Sequence, residues 1–301
     1  MAGKFGRGSG MAQRMGLRVA GVVAGFVILA LIVVGVKVLG GSGSTADGPP
    51  TSKASSGSTS SPSSSKAGPS VSPTIPVPKL SAAQLAALPK ATTFGKIAGL
   101  PVSATANSDG NVVRVARDQP GFATPGGQAK TLIPSTQLGL DTWLPIVDRR
   151  SGWIQVRLPS RPNGSLAWIP ASGARTAQTN WRVQISLARG TMSIMQGVVR
   201  KGTWTVGHGK SADPTPTGQT FLLAGFVDPT QKFSPVIYAL GAHSETLDSF
   251  GGGPGTVAVH GWPTADGRRG QVSHGCVRVP SAALAMFAKL PTGTPVDITA
   301  S

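Results

Sequence analysis

Apolar residues are distributed along this chain in three different ways. The first is an unbroken run, Val19 to Val36, in which all 18 residues are apolar or glycine. A helix of that length just crosses a bilayer core. Arg14 and Arg18 precede it, with Lys4 and Arg7 further upstream. This charge bias predicts that residues 1–18 stay in the cytoplasm and that the chain beyond the apolar run is exported. Residues 19–39 therefore read as a transmembrane anchor. The rival is a cleaved signal peptide, whose apolar region ordinarily has about 7–15 residues; Ser44 and Ala46 form only a weak small-x-small cleavage site.

Over 40–79 the apolar pattern disappears, and Ser, Gly, Pro and Thr dominate. Such a stretch cannot bury enough apolar surface to order itself, and it reads as a linker. Its random-coil span is on the order of 35 Å. Residues 80–110 are expected to hold a short helix and a connector. Ser81 caps an Ala-rich run that Pro89 stops after Leu88.

Beyond residue 110 the period switches to two. Val112–Val115, Trp143–Val147, Gly152–Leu158 and Leu166–Ile169 are short apolar runs parted by Gly, Pro, Asn and Ser. They predict a small barrel over 111–176. Trp153 and Trp168 are expected in its core. From Trp181 onward the alternation continues in Val183–Leu187, Met192–Met195, Val198–Val199 and Thr203–Gly207, with turns at Arg189-Gly190 and Gln196-Gly197. This predicts a meander of hairpins within a domain at 181–299. One late helix, Ser281 to Leu290, carries Leu284, Phe287 and Leu290 on one face, with Ser281 as its cap. The fold class is mainly β.

Composition changes little in this picture, but charge adds to it. The net charge is +17, of which the first 40 residues carry +5. The remaining excess is spread over the β-rich part, suiting a polyanionic envelope. Nucleic acid is set aside as a partner, because the basic residues do not cluster with aromatics and no nucleic-acid motif occurs.

The candidate chemistry lies at the end of the chain. There is one cysteine, Cys276, and all four histidines, His208, His243, His260 and His274, come after residue 207. A lone Cys forms no internal disulfide and poses a choice between a reactive thiol and a small buried hydrophobe. A thiol nucleophile needs a base. His260 ends the apolar run Val257-Ala258-Val259, and eleven residues separate Gly261 from Ser273-His274-Gly275-Cys276. By spacing alone, either His260 or His274 serves as that base. Gly275 permits unusual dihedrals, so that nearby N–H groups can face a developing oxyanion. Cys with two His meets part of a zinc site, but no second Cys or carboxylate pattern completes it. No metal is expected from this spacing.

The stretch from His260 to Val279 resembles the active-site signature of the YkuD-type L,D-transpeptidases: His-Gly, a spacer with a central Gly270, then Ser-His-Gly-Cys and hydrophobic-Arg. Pro214-Thr215-Pro216-Thr217-Gly218 ahead of Phe221-Leu222-Leu223, Pro235 to Leu240 with Tyr238, and Gly293 to Ile298 are also similar to segments of that family. Trp143 to Pro170 resembles a bacterial SH3-like module, carried by Gly152-Trp153-x-x-Val156 and Gly164-x-x-x-Trp168-Ile169.

These resemblances imply an SH3-like module at 111–176 and a β-sandwich-like catalytic domain at 181–299. They imply Cys276 as nucleophile and His260 as base, oriented by the backbone at Gly261. His274, Gly275 and Ser273 would shape the oxyanion hole or support its loop. Arg278 and Tyr238 would contact the donor peptide. Some members have Asn where Arg278 stands. His208 and His243 match no role and are expected at the surface. The segment from His243 to Gly255 is expected to form a mobile flap.

The implied reaction attacks a stem tetrapeptide, releases D-Ala and passes the acyl group to an amine of a second stem peptide, a 3→3 cross-link. The resemblance implies no organic cofactor. The enzyme would be held to the cell membrane by its N-terminal helix and work on the cell-wall side, with stem peptides and anionic wall polymers as partners. Two readings stay open beside it: the same acyl-enzyme with water or a free D-amino acid as acceptor, and an inactive wall-binding protein.

Overall fold

Nearly every alternating run becomes a strand, and the strands sort into two large sheets. The computed structural model describes residues 74–250 and 253–301. The anchor expected at 19–39, the N-terminus before it and the linker up to residue 73 lie outside the described residues. Among the described residues no helix is long and apolar enough to cross a membrane.

The expected first helix spans Ala82–Ala86, with Ser81 and Gln84 in a reciprocal capping box. An antiparallel sheet then runs in the order Ala129–Ile133, Gln119–Phe122, Leu166–Pro170, Trp153–Arg157, Trp143–Arg150, Asn111–Arg114, Arg175–Gln178. Gln119–Phe122, Ala129–Ile133 and Arg175–Gln178 were not expected, because none shows a clean apolar alternation. Trp153 and Trp168 are buried and cluster with Phe122.

The second sheet has ten strands. It begins with the expected meander of Val199–Thr205, Thr191–Gln196 and Trp181–Ser186. It continues through Pro295–Thr299, Gly218–Phe226, Ile237–His243, Thr256–Gly261, Val277–Val279, Gly207–Gly209 and Gly270–Ser273. Val199–Thr205 replaces the two separate runs expected there. The sheet curls into a sandwich, so that Ile185 and Ile194 from one end share a core with Val259 and Val277 from the other. The late helix, Ser281–Phe287, packs Ala283, Leu284 and Phe287 into this core. Its cap is Pro280 and not Ser281. Proline has no N–H to leave unsatisfied at a helix start, and its fixed φ suits the entry.

The strand Gly218–Phe226 is buried on both faces. Leu222 points into the core of its own sheet, while Phe221, Leu223 and Ala224 join the core of the first sheet, with Val113, Ile146 and Val156. The two sheets are therefore welded through one strand. Burying a Phe and a Leu side chain contributes about 1.5–3 kcal/mol each.

Candidate active site

The chemistry sits on adjacent parallel strands. Val259 pairs with Val277, His260 with Arg278 and Gly261 with Val279. Side chains alternate along a strand, so Val257, Val259, Val277 and Val279 fill the core. Ala258, His260, Cys276 and Arg278 then fall on the other face. The register sets Cys276 beside Ala258, one pleat from His260. Strand spacing and rise put their Cα atoms roughly 8 Å apart, within reach of an imidazole and a thiol.

A cavity of about 450 Å³ opens on this face. The sheet supplies Ile237, Ala239, Thr256, Ala258, His260 and Cys276. Phe226, Asp228, Gln231 and Phe233 form one wall, and Phe250, Gly253 and Pro254 another. Leu138 and Thr93 reach it from the part of the chain that carries the first sheet.

His260 is buried, and its Nδ1 lies 2.8 Å from the carbonyl oxygen of Gly261. Nδ1–H donates to that carbonyl, which leaves the Nε2 lone pair free. The carbonyl is itself fixed. The Gly261 N–H donates to Ser234 Oγ at 2.8 Å, and Ser234 Oγ–H donates to Val236 O at 2.6 Å. Gln231 bonds the Ser234 backbone from both sides, through Oε1 at 2.9 Å and Nε2 at 2.7 Å. The Phe233 ring stands 4.9 Å from the imidazole. Burial lowers the His260 pKa from 6.5 to about 4, the Arg278 charge adds to this, and the Gly261 carbonyl opposes it. The imidazole is therefore neutral at neutral pH and ready to accept a proton.

Cys276 is partly buried, and its Sγ points at the Thr256 carbonyl 4.0 Å away. Burial raises the thiol pKa, while the Ala258 backbone and the Arg278 charge act the other way. The raised pKa favours the neutral thiol, and Cys276 lines the same cavity as His260. The turn before it is tied at three points. Ser273 Oγ–H donates to Cys276 O at 2.6 Å, and the Gly275 N–H donates to Ser273 Oγ at 3.2 Å. Thr215 Oγ1–H donates to Gly275 O at 2.8 Å while accepting from the Gly209 N–H at 2.9 Å. Gly275 sits at φ 111°, a region that disfavours a side chain.

Other expected residues fall elsewhere. His274 is exposed, with its ring 5.3 Å from Phe250 and its Nε2 4.0 Å from Asp213, and it is not among the residues that line the Cys276 cavity. Arg278 stacks its guanidinium 3.5 Å over the Trp262 ring and lines no part of the Cys276 cavity. Tyr238 is displaced from the expected cleft. It packs in the core on the opposite face, 5.1 Å from Phe287, because alternation turns it away from Ile237 and Ala239. The expectation that His208 and His243 lie at the surface is overturned, since both are buried. His243 is fully enclosed because Asn163 brackets its backbone N–H and C=O, each at 2.8 Å.

Sequence reasoning missed Gln231, Ser234 and Phe233, which hold the His260 imidazole and its backbone in place, and Leu138; none lies in a recognisable spacing from His260. No three His, Cys, Asp or Glu side chains gather as donors for a metal ion among the described residues.

Residues 180–298 match the family model of the YkuD L,D-transpeptidase catalytic domain. No curated protein sequence matches the chain. An L,D-transpeptidase from Mycobacterium tuberculosis H37Rv is similar in structure at 16% identity and TM-score 0.35, over 46% of this chain and 73% of that one. An L,D-transpeptidase from Mycobacterium smegmatis is similar at 16% identity and TM-score 0.35, over 68% of this chain and 98% of that one. The catalytic domain of an E. faecium L,D-transpeptidase is similar at 20% identity and TM-score 0.31, over 40% and 98%.

Proposed function

We propose that the chain is a peptidoglycan L,D-transpeptidase in which Cys276 forms the acyl-enzyme and His260 moves the protons. One observation carries this reading: the only thiol and a neutral imidazole with a free Nε2 share a cavity on one face of paired strands.

As Cys276 Sγ attacks the carbonyl carbon next to the terminal D-Ala of a stem tetrapeptide, His260 Nε2 takes the thiol proton. A neutral starting pair fits the two pKa directions, since neither charged form is favoured before substrate arrives. The oxyanion then forms beside the turn. The Gly275 N–H is engaged by Ser273, so the N–H groups of Cys276 and His274 are the donors assigned to it. Collapse breaks the peptide C–N bond, and the imidazolium protonates the departing D-Ala amine. A side-chain amine of a second stem peptide attacks the thioester, gives its proton to His260 and leaves a 3→3 cross-link with the thiol restored.

The segment 19–39 is read as a single-pass anchor, the segment 40–79 as a tether, and 111–176 as an SH3-like spacer or wall-binding unit. The positive charge of the chain suits anionic wall polymers.

The test is purified protein with a labelled tetrapeptide. The parent is expected to release D-Ala and to show a thioester by intact mass. Cys276→Ala should lose both; release of D-Ala by that variant at the parent rate would remove the nucleophile assignment. With two labelled stem peptides, dimers are expected, whereas tripeptides would mark water as the acceptor.

A further inference from the structure

The cavity at Cys276 is not walled by residues 180–298 alone. We infer that Leu138, at the tip of a hairpin outside that segment, is a specificity-determining residue that packs against an aliphatic group of the acyl donor. The inference rests on the acyl-transfer reading for the identity of the donor, though not for the placement of Leu138.

The hairpin pairs Thr136–Gln137 with Leu140–Asp141, so Leu138 and Gly139 form its two-residue turn. Both have positive φ, 50° for Leu138 and 80° for Gly139. Turns of this kind favour Asn or Gly at both positions, and a leucine there is strained. Leu138 is also 45% exposed, so no burial in the fold offsets that strain. What it gains is a place on the wall of the cavity that holds His260 and Cys276, together with Phe226, Ile237 and Phe250.

The hairpin is fixed well enough to hold that place. Arg114 Nη2 pairs with Asp141 Oδ2 at 2.7 Å, and Asp118 Oδ1 accepts from Ser135 N–H and Oγ–H, both at 2.8 Å. The sheet containing Arg114 shares its core with Phe221 and Leu223 of the catalytic sheet. The base of the hairpin is thus tied to a sheet that shares a core with the strand beside the cavity. Strain held by such surroundings marks a position retained for its side chain.

Leu138→Gly removes the side chain and suits the turn; Leu138→Asn also suits the turn and replaces the aliphatic group by a small polar one. Leu140→Ser is the control, since Leu140 is exposed on the same hairpin and lines no part of the cavity. With the tetrapeptide donor, KM for both Leu138 variants should rise about tenfold, the scale of one lost aliphatic contact, with kcat within about twofold. The Leu140 variant should match the parent.

A second reading does not depend on turnover. Cys276 is the only thiol, so alkylation reports on this cavity alone. The preference for N-phenylmaleimide over iodoacetamide should fall about fivefold in the Leu138 variants, on the same scale of lost apolar contact. An unchanged KM and an unchanged reagent preference would overturn the inference. A parent that released no D-Ala would remove the transpeptidase reading, and the reagent preference would still decide the place of Leu138.

Discussion

Two tight turns face the same cavity and handle left-handed backbone in opposite ways. In the turn from Ser273 to Cys276 the unusual dihedral falls on Gly275, at φ 111°, and the proposed nucleophile stands next to it. Ser273 and Thr215 then supply the hydrogen bonds that fix the loop. In the hairpin turn the left-handed residue is Leu138, at φ 50°. No side chain of the turn itself braces it, and the support lies at its base, in Asp118 and Asp141. The difference teaches where each turn keeps its function. The cysteine turn needs a backbone shape that aims a thiol, so glycine takes the awkward dihedral. The hairpin turn, on the inference above, presents a side chain, so leucine stays where glycine would adopt the dihedral without strain.

The largest effects should come from the aimed pair itself. His260→Gln keeps a polar side chain on the strand and removes the proposed base. Acyl-enzyme formation should fall at least about 10³-fold, read by mass spectrometry over time. A loss smaller than tenfold would mean that the cysteine turn is aimed at another base.

The same histidine should also govern acid stability. Its pKa is about 4 in the fold, against 6.5 ordinarily. The unfolded chain thus takes up a proton below 6.5, and the fold resists it until about 4. This stability is complete above pH 6.5 and lost as pH falls through that window, in all roughly 3 kcal/mol. Urea unfolding at pH 7.5 and 4.5 should show a drop for the parent that His260→Gln lacks by roughly 2–3 kcal/mol. Equal drops in the two proteins would count against the burial-lowered pKa. The acid limb of kcat/KM should likewise lie near pH 4 rather than 6.5.

The two turns also differ in what the sequence discloses. The chemistry of the cysteine turn is written in contiguous residues, Ser273-His274-Gly275-Cys276, and period-two alternation in Val257-Ala258-Val259-His260 puts the histidine on the face away from the core. Local pattern suffices there because strand period and turn propensity are local properties. Tyr238 shows the limit. It belongs to a segment similar to the family's cleft, yet a shift of one position in a strand changes the face a side chain meets. His208 and His243 looked like surface residues because enclosure by partners such as Asn163 is a long-range fact. Leu138 carried no signal either, since its hairpin is only two residues on a side and its cavity partners lie far along the chain. The weld through Phe221 and Leu223 read simply as an apolar strand; that its two faces serve two cores comes from the packing of sheets.

Among smaller effects, Ser273→Ala removes two hydrogen bonds of the cysteine turn and leaves the Cys276 carbonyl without its hydroxyl donor. It should destabilise by about 1–3 kcal/mol. D-Ala release should slow about tenfold or more, since a misplaced nucleophile costs rate even when it is present. Full activity in that variant would show that Thr215 alone holds the turn.

The smallest effects test the contrast most directly. An added Cβ at Gly275 would meet nothing nearer than the Pro214 carbonyl oxygen at 3.6 Å. Space is therefore not the obstacle, and the cost of Gly275→Ala is the dihedral, about 1–2 kcal/mol. Leu138→Gly relieves a similar dihedral cost but restores freedom to the unfolded chain, worth about 0.4–1 kcal/mol. The two nearly cancel, so its stability should stay within about 1 kcal/mol of the parent. Denaturant midpoints of the two variants at pH 7.5 check this. If Leu138→Gly proved the more damaging of the pair, leucine would be serving the fold of the hairpin, and the two turns would no longer divide into one that aims a backbone and one that presents a side chain.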